Sequence, residues 1–297
     1  MNSYDDLFRQ EQSRPVNDQT FDKAAWAQKK QEQREQVYAM IDDATDSVAQ
    51  DGALFQKYLD VQSRFNRYSV ANALLILTQK PEATRIADFD TWKEQGAYIR
   101  KNETGFYIIE PGEEYRREDG STGISYNPKR MFDISQTGNN FKRETLAYPD
   151  DRTLLKALTE HASVPIRISD TLPGGVNALY RPEERDIHIR RGMTADNIFR
   201  ALSQELAHAE TDKGDGSYFR ADYAFHAYCA SYILCKQYGV DTSDYRFDNA
   251  PNMLEGLTPQ AIRAELSVMR EAAAEISGRM NRTLNPQRQH NRREATR

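Results

Sequence analysis

The sequence predicts an α+β protein in two domains, N-terminal helices with a small antiparallel sheet followed by a domain of short strands and long helices. Three observations carry this. Stretches with apolar residues three or four apart alternate with short β-type runs, a polar connection with little apolar content spans 138–150, and 297 residues suffice for two ordinary domains. Apolar content of 38% with a mean hydropathy of −0.82 is low for a globule, so polar arms are expected at the ends. The expected division is a disordered arm (1–20), an N-terminal domain (21–137), a linker (138–150), a second domain (151–278) and a basic disordered tail (279–297).

Taken in order, residues 21–49 are rich in Ala, Gln, Glu and Lys, with Val37, Met40 and Ile41 near helical spacing. Phe55 to Leu77 continues that period until Pro81 ends it. Ala97–Arg100 and Gly105–Glu110, separated by Lys101-Asn102-Glu103-Thr104, read as a hairpin; 113–127 reads as a loop or ragged hairpin before a short strand at 131–134. Beyond the linker, a helix over 151–161 and a strand over 164–169 precede Ala178-Leu179-Tyr180 and Asp186–Arg190, a strand, turn, strand unit. Thr194 caps a helix carrying Ile198, Leu202, Glu205 and His208. A second helix over 218–238 ends at Gly239, and Thr258-Pro259 opens a third, proline being favourable where its missing N–H has no partner.

Composition narrows the function classes. A net charge of −5 leaves nucleic-acid binding to a local basic surface. Cys229 and Cys235, six apart on a helix, face different ways and pack as small apolar side chains, which fits a reducing cytosol. No apolar run approaches the roughly 20 residues of a membrane span, and Met1–Asp6 lacks a signal-peptide order, so a cytoplasmic protein with no membrane partner is expected. Gly174-Gly175 lacks the lysine or third glycine of a phosphate loop.

Gln204-Glu205-Leu206-Ala207-His208 is H-E-x-x-H with its first histidine replaced by glutamine. Histidines at i and i+4 share a helix face and can hold one zinc, while the glutamate between them polarises a bound water. Strands followed by this helix match a zincin-like (minimal gluzincin-like) domain. Glu205 would be the catalytic base only if the site is active. Without a metal it becomes a partly buried carboxylate that can pair with an arginine, and His208 a hydrogen-bonded helix histidine.

In the N-terminal half, Gln62-x-Arg64-Phe65-x-x-Tyr68-Ser69-x-x-Asn72-x-Leu74-Leu75-Ile76, Gln79-x-Pro81-x-Ala83-Thr84, Phe89-x-x-Trp92, Ile108-x-x-Pro111 and Phe132-Asp133-x-Ser135-Gln136-Thr137 occur in one order. This series closely resembles the N-terminal domain of ArdC-type antirestriction proteins, and the LtrC-like proteins of conjugative elements look similar over the rest, including Gly239–Tyr245. The resemblance implies a single-stranded-DNA-binding domain joined to a metallopeptidase-like domain. In such relatives the helix reads H-E-L-A-H and a second-helix glutamate completes the site. Here one anchoring of the second helix puts Tyr228 at that position and another puts His226 there.

No cofactor is expected; a weakened zinc site of His208, His226 and a carboxylate such as Asp222 or Glu210 remains the alternative. Single-strand binders combine cations that track phosphates with aromatic faces on which bases stack. The candidate contacts are Arg64, Arg67, Asn72, Lys93, Lys101, Lys129 and Arg130 with the aromatics Tyr68, Trp92 and Tyr107, although Phe65, Tyr68 and Trp92 also lean toward the core. The expected function is a single-stranded-DNA-binding protein of a mobile genetic element, in antirestriction or conjugative transfer, with a degenerate peptidase-like domain and a protein partner possible there. The competing expectations are an active zinc metalloprotease and a non-catalytic peptide-binding module.

Overall fold

The computed structural model describes residues 23–116, 119–138 and 148–285; the expected N-terminal arm, most of the linker and the last part of the tail lie outside them. Helix α1 (Lys23–Gln50) buries Val37, Ile41, Ala44 and Val48, one stripe at steps of three and four. Asp51 caps α2 (Gly52–Arg64), accepting the N–H groups of Ala53 and Leu54, and Ser69 caps α3 (Val70–Gln79). The period from Phe55 to Leu77 is thus two helices. Gln62 makes the break, its amide donating to the carbonyls of Phe65 and Tyr68 and holding the chain in a turn.

Strand β1 (Ile86–Ala87) leads into the short helix α4 (Phe89–Glu94), and β2 (Phe106–Arg116) and β3 (Thr122–Asp133) form a long antiparallel arm in the order β1-β3-β2. The hairpin expected between 97–100 and 105–110 is not formed. Ile99 makes only an isolated bridge to Thr137, and β2 pairs instead with β3 through the 113–127 segment, with a register shift between Pro111 and Glu114. The outer edge of β2 is closed by side chains. Asn72 donates to the Ile109 carbonyl and accepts its N–H at 2.9 and 2.8 Å, and Gln79 does the same for Tyr107 at 2.8 and 2.9 Å. Two amides on α3 thereby replace a fourth strand.

After α5 (Asp151–Glu160), strand β4 (Ile166–Ser169) runs parallel to β6 (Asp186–Arg190), and β5 (Ala178–Arg181) pairs antiparallel on the other side of β6. Helix α6 (Ala195–Thr211) starts at the Thr194 cap, α7 (Arg220–Tyr238) ends at Gly239 with φ of 75°, the left-handed region glycine tolerates, and α8 (Ala250–Leu254) precedes α9 (Pro259–Leu284). Residues 279–284 belong to α9 rather than to a free tail: Arg279 pairs with Glu210 and Met280 is buried.

One continuous apolar core crosses the segment expected to separate two domains, running from Val37 through Phe55, Leu74, Leu202 and Tyr232 to Met280. Phe55 of α2 stacks on Phe225 of α7 at 5.5 Å, and Tyr232 donates to Asp60 at 2.7 Å. A Cβ on Gly52 would lie 2.4 Å from the Phe247 carbonyl oxygen, so only glycine lets these backbones meet. Replacing Asn72 with leucine strands the buried Ile109 N–H and C=O. The expected loss is about 2–4 kcal/mol, measured by urea unfolding; an unchanged midpoint would remove the edge-closing role.

Candidate functional site

Strand β5 and helices α6 and α7 enclose a cavity of about 430 Å³, lined among others by Ala178, Arg200, Gln204, Glu205, Arg220, Tyr228 and Tyr245. β5 is an edge strand. Arg190 N–H donates to the Asn177 carbonyl, so by the alternation of antiparallel pairing Ala178 and Tyr180 turn their backbone groups away from β6. The Tyr180 N–H reaches Glu205 at 2.7 Å.

Glu205 is 4% exposed, and both of its carboxylate oxygens are hydrogen-bonded. Besides Tyr180, it takes both arms of the Arg220 guanidinium, Nη1 to Oε2 at 2.7 Å and Nη2 to Oε1 at 2.6 Å, a bidentate pair. Arg220 is the first residue of α7. The chain between α6 and α7 is shaped by Asp212, which accepts the Gly214 N–H and the Tyr180 hydroxyl, each at 2.7 Å, with Gly214 and Gly216 at φ of 72° and 80°. Tyr218 stacks on Tyr223 and shares a 2.7 Å hydrogen bond with His208 Nδ1. Burial pushes the Tyr218 phenol up to about 12, so it stays neutral.

His208 is fully buried, and its Nε2 has no hydrogen-bond partner. Burial, with lesser contributions from the charges of Arg220 and His226, holds its pKa down at about 3. His226 lies on α7 with Nε2 against Glu265 of α9 at 2.5 Å. Tyr228 accepts the Arg246 N–H at 2.8 Å and packs on Tyr245 and Phe247. The two positions expected to compete for a third ligand are thus both engaged elsewhere. Glu210 is held by Arg279 and Ser163, and Asp222 is exposed, so neither completes a site.

A catalytic zinc or manganese needs about three protein donors with an open position. Gln204 offers a neutral amide, Glu205 is bound to a cation, and His208 keeps one ring nitrogen. Among the described residues no three His, Cys, Asp or Glu side chains are grouped to hold an ion. The donors present do not fit the metal that H-E-x-x-H implies. Both Glu205 oxygens are held by Arg220, and one of them also by the Tyr180 N–H, so the carboxylate is the fixed ion-pair partner of Arg220.

The structure also sorts the expected nucleic-acid contacts. Asn72 and Trp92 are not interface residues: Asn72 closes the β2 edge, and Trp92 is fully buried with its indole donating to the Phe132 carbonyl at 2.9 Å. Lys129 lies between Asp88 and Glu110 at 2.7 and 3.0 Å, its charge balanced, and half-buried Tyr68 packs edge-on against Phe65. Arg64 donates to the Pro81 carbonyl. Arg67, Lys93 and Lys101 are exposed and form no salt bridge among the described residues. Tyr107 and Arg130, directly opposite across β2 and β3, are joined by a 2.8 Å hydrogen bond and a cation–π contact of 5.4 Å.

The family model for the N-terminal domain of anti-restriction factor ArdC matches residues 25–144. These residues are similar to an ArdC-type N-terminal domain. The Mn(II)-bound crystal structure of antirestriction ArdC from plasmid R388 is similar with a TM-score of 0.54 and 18% identity, covering 81% of this chain and 98% of that one. The metal-free form of the same protein gives 0.49 and 20%, over 72% and 85%. The likeness to the Mn(II)-bound structure concerns the α+β fold alone. An uncharacterized pXO2-81 protein of Bacillus anthracis is 25% identical over 240 residues, and the matching part covers 61% of this chain and 40% of that relative. The polar residues shared with the ArdC-type pattern are largely architectural here: besides Gln62, Asn72 and Gln79, Asp133 accepts the N–H groups of Thr84, Arg85 and Ser135, and Gln136 completes its capping box.

Sequence reasoning missed Arg220, Tyr218 and Glu265 as the partners of Glu205, His208 and His226. The usable signal was the unmatched carboxylate itself, since a buried glutamate lacking a metal needs a cation. The depressed His208 pKa sets a pH dependence. An unfolded chain takes the proton near pH 6.5 whereas the folded one resists it to about 3, so this stabilisation is complete above about 6.5 and lost as pH falls toward 3. Urea unfolding between pH 7 and 4 should show wild-type stability falling more steeply than that of His208→Asn, by up to about 1.4 kcal/mol per pH unit. Parallel profiles would contradict a neutral buried His208.

Proposed function

We propose that this chain is an antirestriction-type protein of a mobile genetic element that binds single-stranded DNA through its ArdC-type domain, and that its C-terminal half is a zincin-like scaffold without peptidase chemistry. The observation that carries the first part is the ArdC-type domain itself, supported by exposed cations at Arg67, Lys93, Lys101 and Arg130 and by the Tyr107 ring beneath Arg130. Such cations replace condensed counterions along a strand, and an aromatic face accepts a base of any sequence. The second part rests on the bidentate Glu205–Arg220 pair and on glutamine at position 204.

A second role for the C-terminal half is favoured by the open edge of β5. Ala178 turns its N–H and C=O away from β6 at the wall of the cavity, an arrangement that accepts an extended peptide as an added strand. That role is peptide capture without cleavage, and it is compatible with DNA binding by the other half.

Oligonucleotide binding over a range of salt concentrations tests the DNA assignment. Removing Arg67, Lys93, Lys101 or Arg130 singly should lower the slope of log K against log salt by about 0.7 each. Tyr107→Leu should weaken binding by about 1–3 kcal/mol at any salt. A combined Arg67→Ala, Lys93→Ala, Lys101→Ala and Arg130→Ala variant that binds like wild type would remove this surface from the proposal.

A further inference from the structure

We infer that Arg220 is a built-in cation that takes over the structural work of a metal ion in this cleft, making the C-terminal half independent of divalent metal. The inference rests on the non-catalytic assignment and adds the physical reason for it.

A carboxylate as buried as Glu205 is costly unless its charge is answered. In H-E-x-x-H chemistry the positive charge nearby is the ion; here it is a guanidinium, delivered by the first residue of α7. Three donors surround the carboxylate, two from Arg220 and one from the Tyr180 backbone, so the pair ties together α6, α7 and β5. A tetrahedral ion would link the same kind of elements through its ligands. The fork differs in engaging both carboxylate oxygens at once, Oε2 being shared with the Tyr180 N–H, so any metal would have to displace or compete with the guanidinium.

The rest of the donor set points the same way. Gln204 lines the cavity as a neutral side chain, and His208 spends Nδ1 on Tyr218. A divalent ion placed beside His208 would also lie close to the Arg220 charge, which already disfavours a second positive charge on that ring. On α6 and α7 the ring nitrogens left without partners, His208 Nε2 and His226 Nδ1, are too few for a metal without a carboxylate, and the Glu205 carboxylate is paired with Arg220.

The test uses the full chain. Metal content after purification with zinc and manganese in the buffers should be far below one equivalent, and the melting temperature should not change on adding ZnCl2, MnCl2 or EDTA. Arg220→Met should lower the melting temperature by about 4 °C or more, with no recovery from either metal. Pairing it with Glu205→Gln should restore part of that loss, because the buried charge disappears together with its partner. Stoichiometric metal that raises the melting temperature and is lost in His208→Ala would overturn both this inference and the non-catalytic assignment. A metal-free wild type in which Arg220→Met melts unchanged, or in which the two substitutions simply add, would overturn the internal-cation role alone.

Discussion

From His226 to Cys235 helix α7 has almost no face in solvent, and the rest of the protein is arranged to cover it. Ala227, Cys229, Ala230, Leu234 and Cys235 are all buried, and burial pushes both thiols up so that they remain neutral apolar groups. A helix that is apolar nearly all round must be wrapped by others. α6 and α9 cover it from the C-terminal half, and α2 covers it from the ArdC-type domain through Phe55, Tyr58 and the Asp60–Tyr232 hydrogen bond. The same burial fixes the helix in rotation and in height. Because Arg220 begins this helix, the constraint that closes the core also brings the guanidinium to Glu205.

In the N-terminal half, polar side chains divide by the demand they meet. Backbone groups withdrawn from water must be paired, and on the outer edge of β2, in the α2–α3 turn and at Thr84–Arg85 no strand does it. Gln62, Asn72, Gln79 and Asp133 meet that demand with side-chain amides and a carboxylate. Their regular occurrence along the chain therefore records architecture. Cations free of such duties, Arg67, Lys93 and Lys101, remain in solvent, where a phosphate can exchange for counterions without breaking anything inside.

In the C-terminal cleft a strand edge and two helices meet around one buried carboxylate whose charge is answered by a guanidinium. Glu205 and His208 stand beside the β5 edge, and the Glu205 carboxylate, His208 Nδ1 and His226 Nε2 each have a protein partner. The carboxylate held by the guanidinium braces α6 against α7. Among the described residues no helix is long and apolar enough to cross a membrane.

Most elements were legible in the sequence because their causes are local. Caps at Thr194 and Thr258, the stop at Gly239 and the strand, turn, strand unit before α6 depend on neighbours within a few residues. The strong ordered pattern of the ArdC-type domain was legible for the same reason, as was glutamine at 204 where H-E-x-x-H has its first histidine. What tertiary structure alone decided was partnership over distance. That Trp92 and Asn72 are interior, that β2 pairs across 113–127, that α2 and α7 share one core, and that Arg220 faces Glu205 while Tyr228 and His226 turn elsewhere all depend on how helices rotate against one another. Periodicity gives a helix its face; only packing says what that face meets.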